Sequence, residues 1–401
     1  MDRPYPSVSV TEKAARSLRA GHPWVYGDEV TAVTGMPENG GIVDVYSLKG
    51  KWLGAGFYND NSKIRVRILS TNTNDRFDDA FWYRKLQWAL EYRKTVMGED
   101  FSACRLIFGE ADGFPGLTVD RFGPVLVAQV LSLGIDRRKA MLFNTLAELL
   151  REMGETIGVV YERSDVAIRE KEGLPQTTGY FLGNGDGHVQ ITENGVLYDV
   201  DYINGQKTGF FLDQKYNRAA VAKLAPGKRV LDCFTHTGAF GLNCAKAGAE
   251  HVLSIDVSET ALSAARRNAA LNGLTNIDFQ CADVFQLLTD LSAKGKGAYD
   301  LIILDPPAFT KSGATVKSAV RGYKDINLRA MKLLPRGGYL ATCSCSHFMT
   351  EPLFVEMLQA AAKDAHVTLR QIEARQQSAD HPILWNVPET NYLKFYIFQV
   401  V

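Results

Sequence analysis

Apolar and polar positions change their period along this chain of 401 residues, and the changes mark out its regions. The first region is short apolar runs cut by glycine. Gly21-His22-Pro23-Trp24-Val25-Tyr26 reads as a turn entering an aromatic strand, and residues 40–46 and 52–57 read as strands between glycine turns. Lys63-Ile64-Arg65-Val66-Arg67-Ile68 alternates strictly. A strand there puts Lys63, Arg65 and Arg67 on one face and Ile64, Val66 and Ile68 on the other. Three cations on one face suit a phosphate backbone; a solvated face on a half-buried strand is the alternative. Residues 72–79 are polar and read as a connection. Over residues 81–97, Phe81, Leu86, Leu90 and Val96 fall near helical spacing, with Arg84, Lys85, Arg93 and Lys94 between them. This predicts an amphipathic helix bridging two domains.

A middle region follows. Residues 106–108 and 117–122 read as strands around the turn pairs Asp112-Gly113 and Pro115-Gly116. A strand at 125–131, a helix at 137–153 and a strand at 159–163 complete a small α+β module. Residues 183–188 are a glycine-rich loop, and 196–202 alternate as a strand. The stretch 205–214 then leads into a helix holding Asn217 and Arg218. Its Asp213 and Gln214 have two readings: a cover over a bound cofactor, or a helix entry capped by Asp213.

From residue 230 the pattern becomes strand, turn, helix, repeated. Val230 and Leu231 end an apolar run at Asp232 and Phe234, Thr237-Gly238 makes a tight turn, and a helix runs from Ala239 to a stop at Gly248. That is the ligand crevice of a doubly wound sheet, with free backbone N–H groups at the helix start. The spaced glycines that let backbone approach a pyrophosphate are absent. A nucleoside ligand without phosphates, such as S-adenosylmethionine, does not need them. Asp256 follows the next apolar run and is placed to accept ribose hydroxyls; a helix over 258–272 ends at Gly273. Asp283 follows a strand at 277–280 and is placed to hold the adenine amino group. Asp305 follows 301–304 and opens Asp305-Pro306-Pro307-Ala308-Phe309, with Lys311 beyond. Each acid alone reads as a solvated strand end; together after one glycine turn they read as a cofactor site. A strand at 339–345, a helix at 352–364, a strand at 368–372 and a closing antiparallel strand at 392–401 fill out a seven-stranded, Rossmann-like α/β sheet.

Thr342-Cys343-Ser344-Cys345-Ser346 also sits at a strand end. A thiolate adding to carbon 6 of a pyrimidine makes carbon 5 nucleophilic enough to take a methyl group, and cysteine is readily activated for this. Methylation of an amino group needs no thiol, only acceptors such as Asp305. Two small buried residues in a strand are the alternative reading of the cysteines. Spacing does not choose between Cys343 and Cys345, which share a face if the strand runs to 345.

Bulk properties narrow the partners. Lys plus Arg equals Asp plus Glu, so nucleic-acid binding must come from a local patch. The six scattered cysteines argue for reduced thiols in a cytoplasm, and against a disulfide framework or a metal site. No run approaches ~20 apolar residues, so no membrane contact is expected, and residues 1–10 lack a secretory apolar core. The expected domains are a small β domain at 1–73, the bridging helix and α+β domain at 74–190, and the doubly wound domain at 191–401.

With these residues in view, the chain resembles the RlmI-type methyltransferases along its length. The resemblance rests on His22-Pro23-Trp24-Val25, Gly50-Lys51-Trp52-Leu53, Gly113-Phe114-Pro115-Gly116-Leu117-Thr118-Val119-Asp120-Arg121-Phe122 and Glu162-Arg163-Ser164-Asp165-Val166-Ala167. It continues through Lys207-Thr208-Gly209-Phe210-Phe211-Leu212-Asp213-Gln214, Gly322-Tyr323-Lys324-Asp325-Ile326-Asn327 and Ala379-Asp380-His381-Pro382. It implies an N-terminal PUA domain that holds RNA and a class I S-adenosylmethionine-dependent methyltransferase domain acting on carbon 5 of a cytosine in large-subunit ribosomal RNA. The family's Ser-Cys-Ser falls on Ser344-Cys345-Ser346, which makes Cys345 the nucleophile, and its Asp-Pro-Pro falls on Asp305–Pro307. Here His236, not an aromatic residue, precedes Thr237-Gly238. An exocyclic-nitrogen methyltransferase using Asp305 and a non-catalytic ribosome-assembly factor stay open, as does a homodimer.

Overall fold

Four sheets answer to these changes of period in the computed structural model, which describes residues 3–310 and 312–401. Lys311, read with the Asp-Pro-Pro turn, lies outside the described residues. The chain forms two units. One comprises Met1–Ile191, Val200–Leu212 and Ala379–Thr390; the other comprises Thr192–Asp199, Asp213–Ser378 and Asn391–Val401.

The first unit opens with β1 (Ser7–Val10), α1 (Glu12–Arg19), β2 (Trp24–Tyr26), β3 (Val30–Thr34), β4 (Ile42–Ser47), β5 (Trp52–Tyr58) and β6 (Ile64–Ser70). The strands form one sheet in the order β2-β6-β5-β4-β1-β3. Val8, Val10, Ala14, Val25, Val43, Val45 and Val66 are fully buried in its core, and Thr11 caps α1 by accepting the Ala14 N–H. The alternation read in β6 holds through Val66 and then breaks. A register shift opposite Ala55 and Gly56 buries Leu69 where strict alternation would turn it outward. Gly56 is required by this close approach: a Cβ there would stand 2.0 Å from the Arg67 carbonyl oxygen.

In the same unit α2 (Asp79–Met97) buries Phe81, Trp82, Leu86 and Leu90, and Asp78 caps it through the Phe81 N–H. Arg93, read from the pattern as one of its polar residues, is fully buried. Its guanidinium forks onto Asp112 at 2.5 and 2.7 Å and donates to the Asp380 carbonyl at 3.0 Å. The second sheet follows. It contains β7 (Ala103–Phe108), β8 (Leu117–Phe122), β9 (Val125–Val130), β10 (Val159–Ser164) and β11 (Thr177–Leu182), ordered β11-β10-β9-β8-β7. Strands β9 and β10 pair in parallel and are bridged by α3 (Leu133–Asp136) and α4 (Lys139–Glu152). Two returning segments belong to this unit. Thr208 donates to Asp120 at 2.5 Å, and Asp380 accepts the Arg105 N–H at 2.7 Å. Residues of two motifs that carried the family resemblance are thus fasteners to the second sheet. Strands β12 (His188–Glu193) and β13 (Val196–Asp201) make a two-stranded sheet.

The second unit is α5 (Lys215–Ala222) followed by a wound sheet. Its elements are β14 (Arg229–Cys233), α6 (Ala239–Lys246), β15 (His251–Asp256), α7 (Glu259–Leu271), β16 (Ile277–Cys281), α8 (Val284–Lys294), β17 (Leu301–Leu304), α9 (Val316–Leu333), β18 (Tyr339–Ser344), α10 (Glu351–Ala365), β19 (Leu369–Arg375) and β20 (Lys394–Val400). The order is β16-β15-β14-β17-β18-β20-β19. Strands β14 to β18 run parallel, and β20 is antiparallel to both β18 and β19. The winding reverses between β14 and β17, which opens a crevice at their carboxyl ends. Strand β18 stops at Ser344, one residue short of the expected strand, because the chain turns there and Ser346 donates to the Thr310 carbonyl at 2.9 Å.

Candidate functional site

At the carboxyl end of β14, Asp232 is fully buried. One of its oxygens accepts the Thr235 hydroxyl at 2.5 Å and the Gly241 N–H at 2.8 Å; the other has no hydrogen-bond partner. Burial raises the Asp232 carboxyl to about 7. The turn that wraps it is strained: Phe234 and His236 have φ of 63° and 52°, values that non-glycine residues rarely adopt. Gly238, with φ of 87°, is the N-cap of α6. Thr237 shares this turn and offers its carbonyl to Asn268 at 3.3 Å. Burial depresses the His236 imidazole, while Asp256 pulls it back up.

Asp256, at the tip of β15, accepts the His236 and Ser258 N–H groups, one on each oxygen, at 2.9 Å. It therefore ties the β14 turn to the start of α7. Asp283 caps α8 through the Gln286 N–H at 2.9 Å and is exposed. Neither role uses up the carboxylate's acceptor capacity.

The crevice deepens where β17 meets β18. Asp305 accepts the Cys343 thiol at 2.9 Å and the Gln214 amide at 3.2 Å on the same oxygen. The Gln214 side chain is itself held by Asn217 at 2.6 Å. Burial raises the Asp305 carboxyl, and the negative Asp213 adds to this while the two hydrogen bonds oppose it. Burial pushes the Cys343 thiol well above the ordinary range, with Asp305 adding to the effect. Asp213 does not cap α5; the N-cap position is Gln214. Asp213 instead accepts the Tyr392 hydroxyl at 2.6 Å, and its carbonyl accepts the Ser378 N–H. Asn217 and Tyr392 are not among the site residues read from the sequence: Tyr392 meets Asp213 across 179 positions, and Asn217, besides its near partner Gln214, is held by Arg375 and the Gln376 carbonyl, 158 and 159 positions on.

Cys345 differs from Cys343. It is half-buried, one residue beyond β18, whereas Cys343 is sealed within the strand. The expectation that both thiols share a strand face lapses because the strand ends between them. Aromatic rings pack around this end of the crevice: Phe309 lies 4.5 Å from Tyr323 and 6.4 Å from Phe234, and Tyr323 receives the Ser344 hydroxyl at 2.9 Å. Lys394, which the sequence did not mark, donates to the Ser346 carbonyl at 2.6 Å and the Tyr392 carbonyl at 2.8 Å.

The donor set suits a cationic nucleoside ligand. Among the described residues, neither Asp232 nor Asp305 has a cation within ion-pair distance; burial raises both carboxyls, and repulsion from Asp305 adds to the rise at Asp232. Buried carboxylates in that state gain most from an incoming positive charge. S-adenosylmethionine carries two such charges, an ammonium and a sulfonium.

In the first unit, Lys63, Arg65 and Arg67 do not form a row of three available cations. Arg67 reaches Glu110 at 3.3 Å and Glu172 at 2.9 Å and lies over the Trp24 ring. Arg65 pairs with Asp60 and lies over Tyr58. Lys63 alone of the three is exposed. Alternation reads the face but not the acids waiting on neighbouring segments. Among the described residues there is no group of three or more His, Cys, Asp or Glu that could hold a metal ion, and no helix is long and apolar enough to cross a membrane.

Comparison with known proteins bears on both units. The PUA-like domain family matches residues 8–71, and the S-adenosylmethionine-dependent methyltransferase family matches residues 167–396. Ribosomal RNA large subunit methyltransferase I of Aliivibrio fischeri is 41% identical over 399 residues, covering 98% of this chain and 99% of that protein. The protein of the same name from Shewanella amazonensis is 43% identical over 400 residues, covering 98% and 100%. A Streptococcus mutans structure described as a SAM-dependent methyltransferase superposes with a TM-score of 0.82 at 21% identity, covering 98% of this chain and 100% of that chain. A methyltransferase structure complexed with SAH gives the same values. At that identity the two structures speak for the fold.

Proposed function

The chain belongs to the RlmI-type family of S-adenosylmethionine-dependent methyltransferases, and on that premise we propose that it methylates carbon 5 of a cytosine in large-subunit ribosomal RNA through a covalent adduct with Cys345. S-adenosylmethionine supplies an electrophilic methyl group on a positively charged sulfur. Asp213, Asp232, Asp256 and Asp283 would hold it, together with Gln214, Phe234 and the Thr237-Gly238 turn. The observation that carries the reading is a shared rim. Leu304 and Thr342 are register partners on adjacent parallel strands, so Asp305 and Cys345 follow neighbouring strand ends at the same side of the crevice.

The chemistry assigns each residue a task. The Cys345 thiolate forms a bond to carbon 6, and the electrons of the carbon 5–carbon 6 double bond become available at carbon 5. Carbon 5 takes the methyl group as the methyl–sulfur bond breaks. Asp305 then removes the carbon 5 proton, the double bond re-forms and the thiolate leaves. A carboxyl held above its ordinary range is the better base for that step. The target base must leave its stack to reach the crevice. The PUA-like domain would hold the RNA, through Lys63 and with Arg65 and Arg67 spoken for by acids. The setting would be cytoplasmic; a homodimer gains no support from the relatives.

A second reading places the methyl on an exocyclic nitrogen, and the Asp305–Gln214 pair favours it as a hydrogen-bonding site for an amino group. Transfer of labelled methyl to large-subunit ribosomal RNA, digestion and nucleoside mass spectrometry separate the two. 5-Methylcytosine is expected, and Cys345→Ala should make none. RNA carrying 5-fluorocytosine, which has no carbon 5 proton to lose, should trap the wild-type chain covalently. An N-methylated base, or full activity of the Cys345→Ala variant, overturns the proposal.

A further inference from the structure

We propose that Lys394 is a positioning residue whose ammonium holds the Cys345 thiol in its ionised, reactive form. The inference rests on the reading of Cys345 as nucleophile and goes beyond it, because nothing in that reading calls for a cation on the last strand.

The geometry comes from the antiparallel pairing of β18 with β20. Lys394 is the register partner of Ser344, so its side chain starts level with the residue before Cys345. Its Nζ then ends on the carbonyl of Ser346, the residue after Cys345. The ammonium is therefore pinned beside the short turn that carries the sulfur. The second carbonyl, from Tyr392, fixes it from the other side. Two carbonyl bonds leave one of the three ammonium hydrogens undirected.

Charge gives this placement its meaning. Lys394 is buried, and among the described residues no carboxylate lies within ion-pair distance of it. A buried ammonium without a counter-ion is costly. Burial accordingly lowers Lys394 to about 8, and the attractions that oppose this are, in order, Cys345, Cys343 and Glu351. Glu351 is taken up by the Tyr396 hydroxyl at 2.7 Å. Cys343 faces the carboxylate of Asp305, which keeps its proton in place. Cys345 is left as the group that can supply the missing negative charge. The groups that act on Cys345 are Tyr323 on α9, Cys343 on β18 and Lys394 on β20; Asp305 beyond β17 acts on Cys343, Glu351 on α10 acts on Lys394, and His347 is exposed two residues on. Lys394 is the buried cation of that set. A thiol beside a lysine ammonium ionises at lower pH, so the pair would sit as thiolate and ammonium near neutrality.

Alkylation by iodoacetamide across pH tests this on the full-length chain, without turnover. Peptide mass spectrometry follows Cys345, with the exposed Cys281 as internal control. The wild-type Cys345 midpoint should lie below that of Cys281. Lys394→Gln should raise it by about 1–2 pH units, Lys394→Arg should restore it, and Cys281 should not move. An unchanged Cys345 midpoint in folded Lys394→Gln overturns the proposal. So does an equal rise in Lys394→Gln and Lys394→Arg, which would mark Lys394 as a backbone staple only. If Lys394→Gln does not fold, the arginine variant decides alone: a midpoint raised above wild type refutes the pairing. Failure here leaves the nucleophile assignment standing, since that is tested separately by methyl transfer in Cys345→Ala.

Discussion

Cys343 donates its thiol proton to Asp305 at 2.9 Å, so the two neighbouring cysteines of the strand end have different jobs. A thiol held by a carboxylate, in a closed interior, resists ionisation. Cys343 thus serves as a hydrogen-bond donor to the proposed base. Cys343→Ala should slow single-turnover methyl transfer by about tenfold, because Asp305 keeps its bond from Gln214. Cys345→Ala should slow it by at least ~10⁴-fold. Equal losses in the two variants would refute this division of roles.

The Asp232 carboxyl titrates at about 7 in the folded chain against a usual 3.8. A group raised on folding contributes stability that is fully present below its unfolded value and is lost as pH rises through the folded one. Between about pH 4 and 7 the unfolded chain ionises first, and the ligand-free protein should weaken steadily. Asp232→Asn should remove that slope. Its unfolding free energy relative to wild type should rise between pH 5 and pH 8 by an amount on the order of 2 kcal/mol, read by calorimetry without cofactor. A difference that does not vary with pH counts against the buried acid.

Gly241 is fixed by close approach. A Cβ there would lie 2.3 Å from the Ser254 hydroxyl oxygen and 2.9 Å from an Asp232 oxygen. Gly241→Ala should displace α6 from β14, lower stability by about 1–3 kcal/mol and weaken S-adenosylmethionine binding at least tenfold in calorimetric titration. Binding at wild-type strength would separate the Asp232 turn from the cofactor.

Arg67 and Lys63 should behave oppositely. Arg67→Ala strands Glu172, which also accepts the Asn59 amide at 3.0 Å, and should cost about 3 kcal/mol in denaturant unfolding. Lys63→Ala, at an exposed site, should change stability by less than ~0.5 kcal/mol. It should lower RNA affinity and reduce the salt slope by about 1. A large stability loss from Lys63→Ala, or none from Arg67→Ala, reverses the reading of this face.

The wound sheet was legible because its signals are local. Asp232, Asp256 and Asp305 each end an apolar run, Thr237-Gly238 follows one closely, and a parallel strand buried on both faces announces itself by composition alone; Asp283 instead follows the alternating, partly exposed β16. The end of β18 was not legible: one residue of extra strand would have aligned Cys343 with Cys345, and only the turn at Ser346 separates them.

What the sequence determined, then, is the order of elements and the chemistry available at each strand tip, because both depend on neighbours a few residues apart. What tertiary structure decided is which groups are already taken. Arg67 and Glu172 pair across 105 positions, and Lys394 reaches Ser346 across 48. Charges separated that far along the chain meet only through the fold, so their burial, their partners and their protonation follow from packing and not from periodicity.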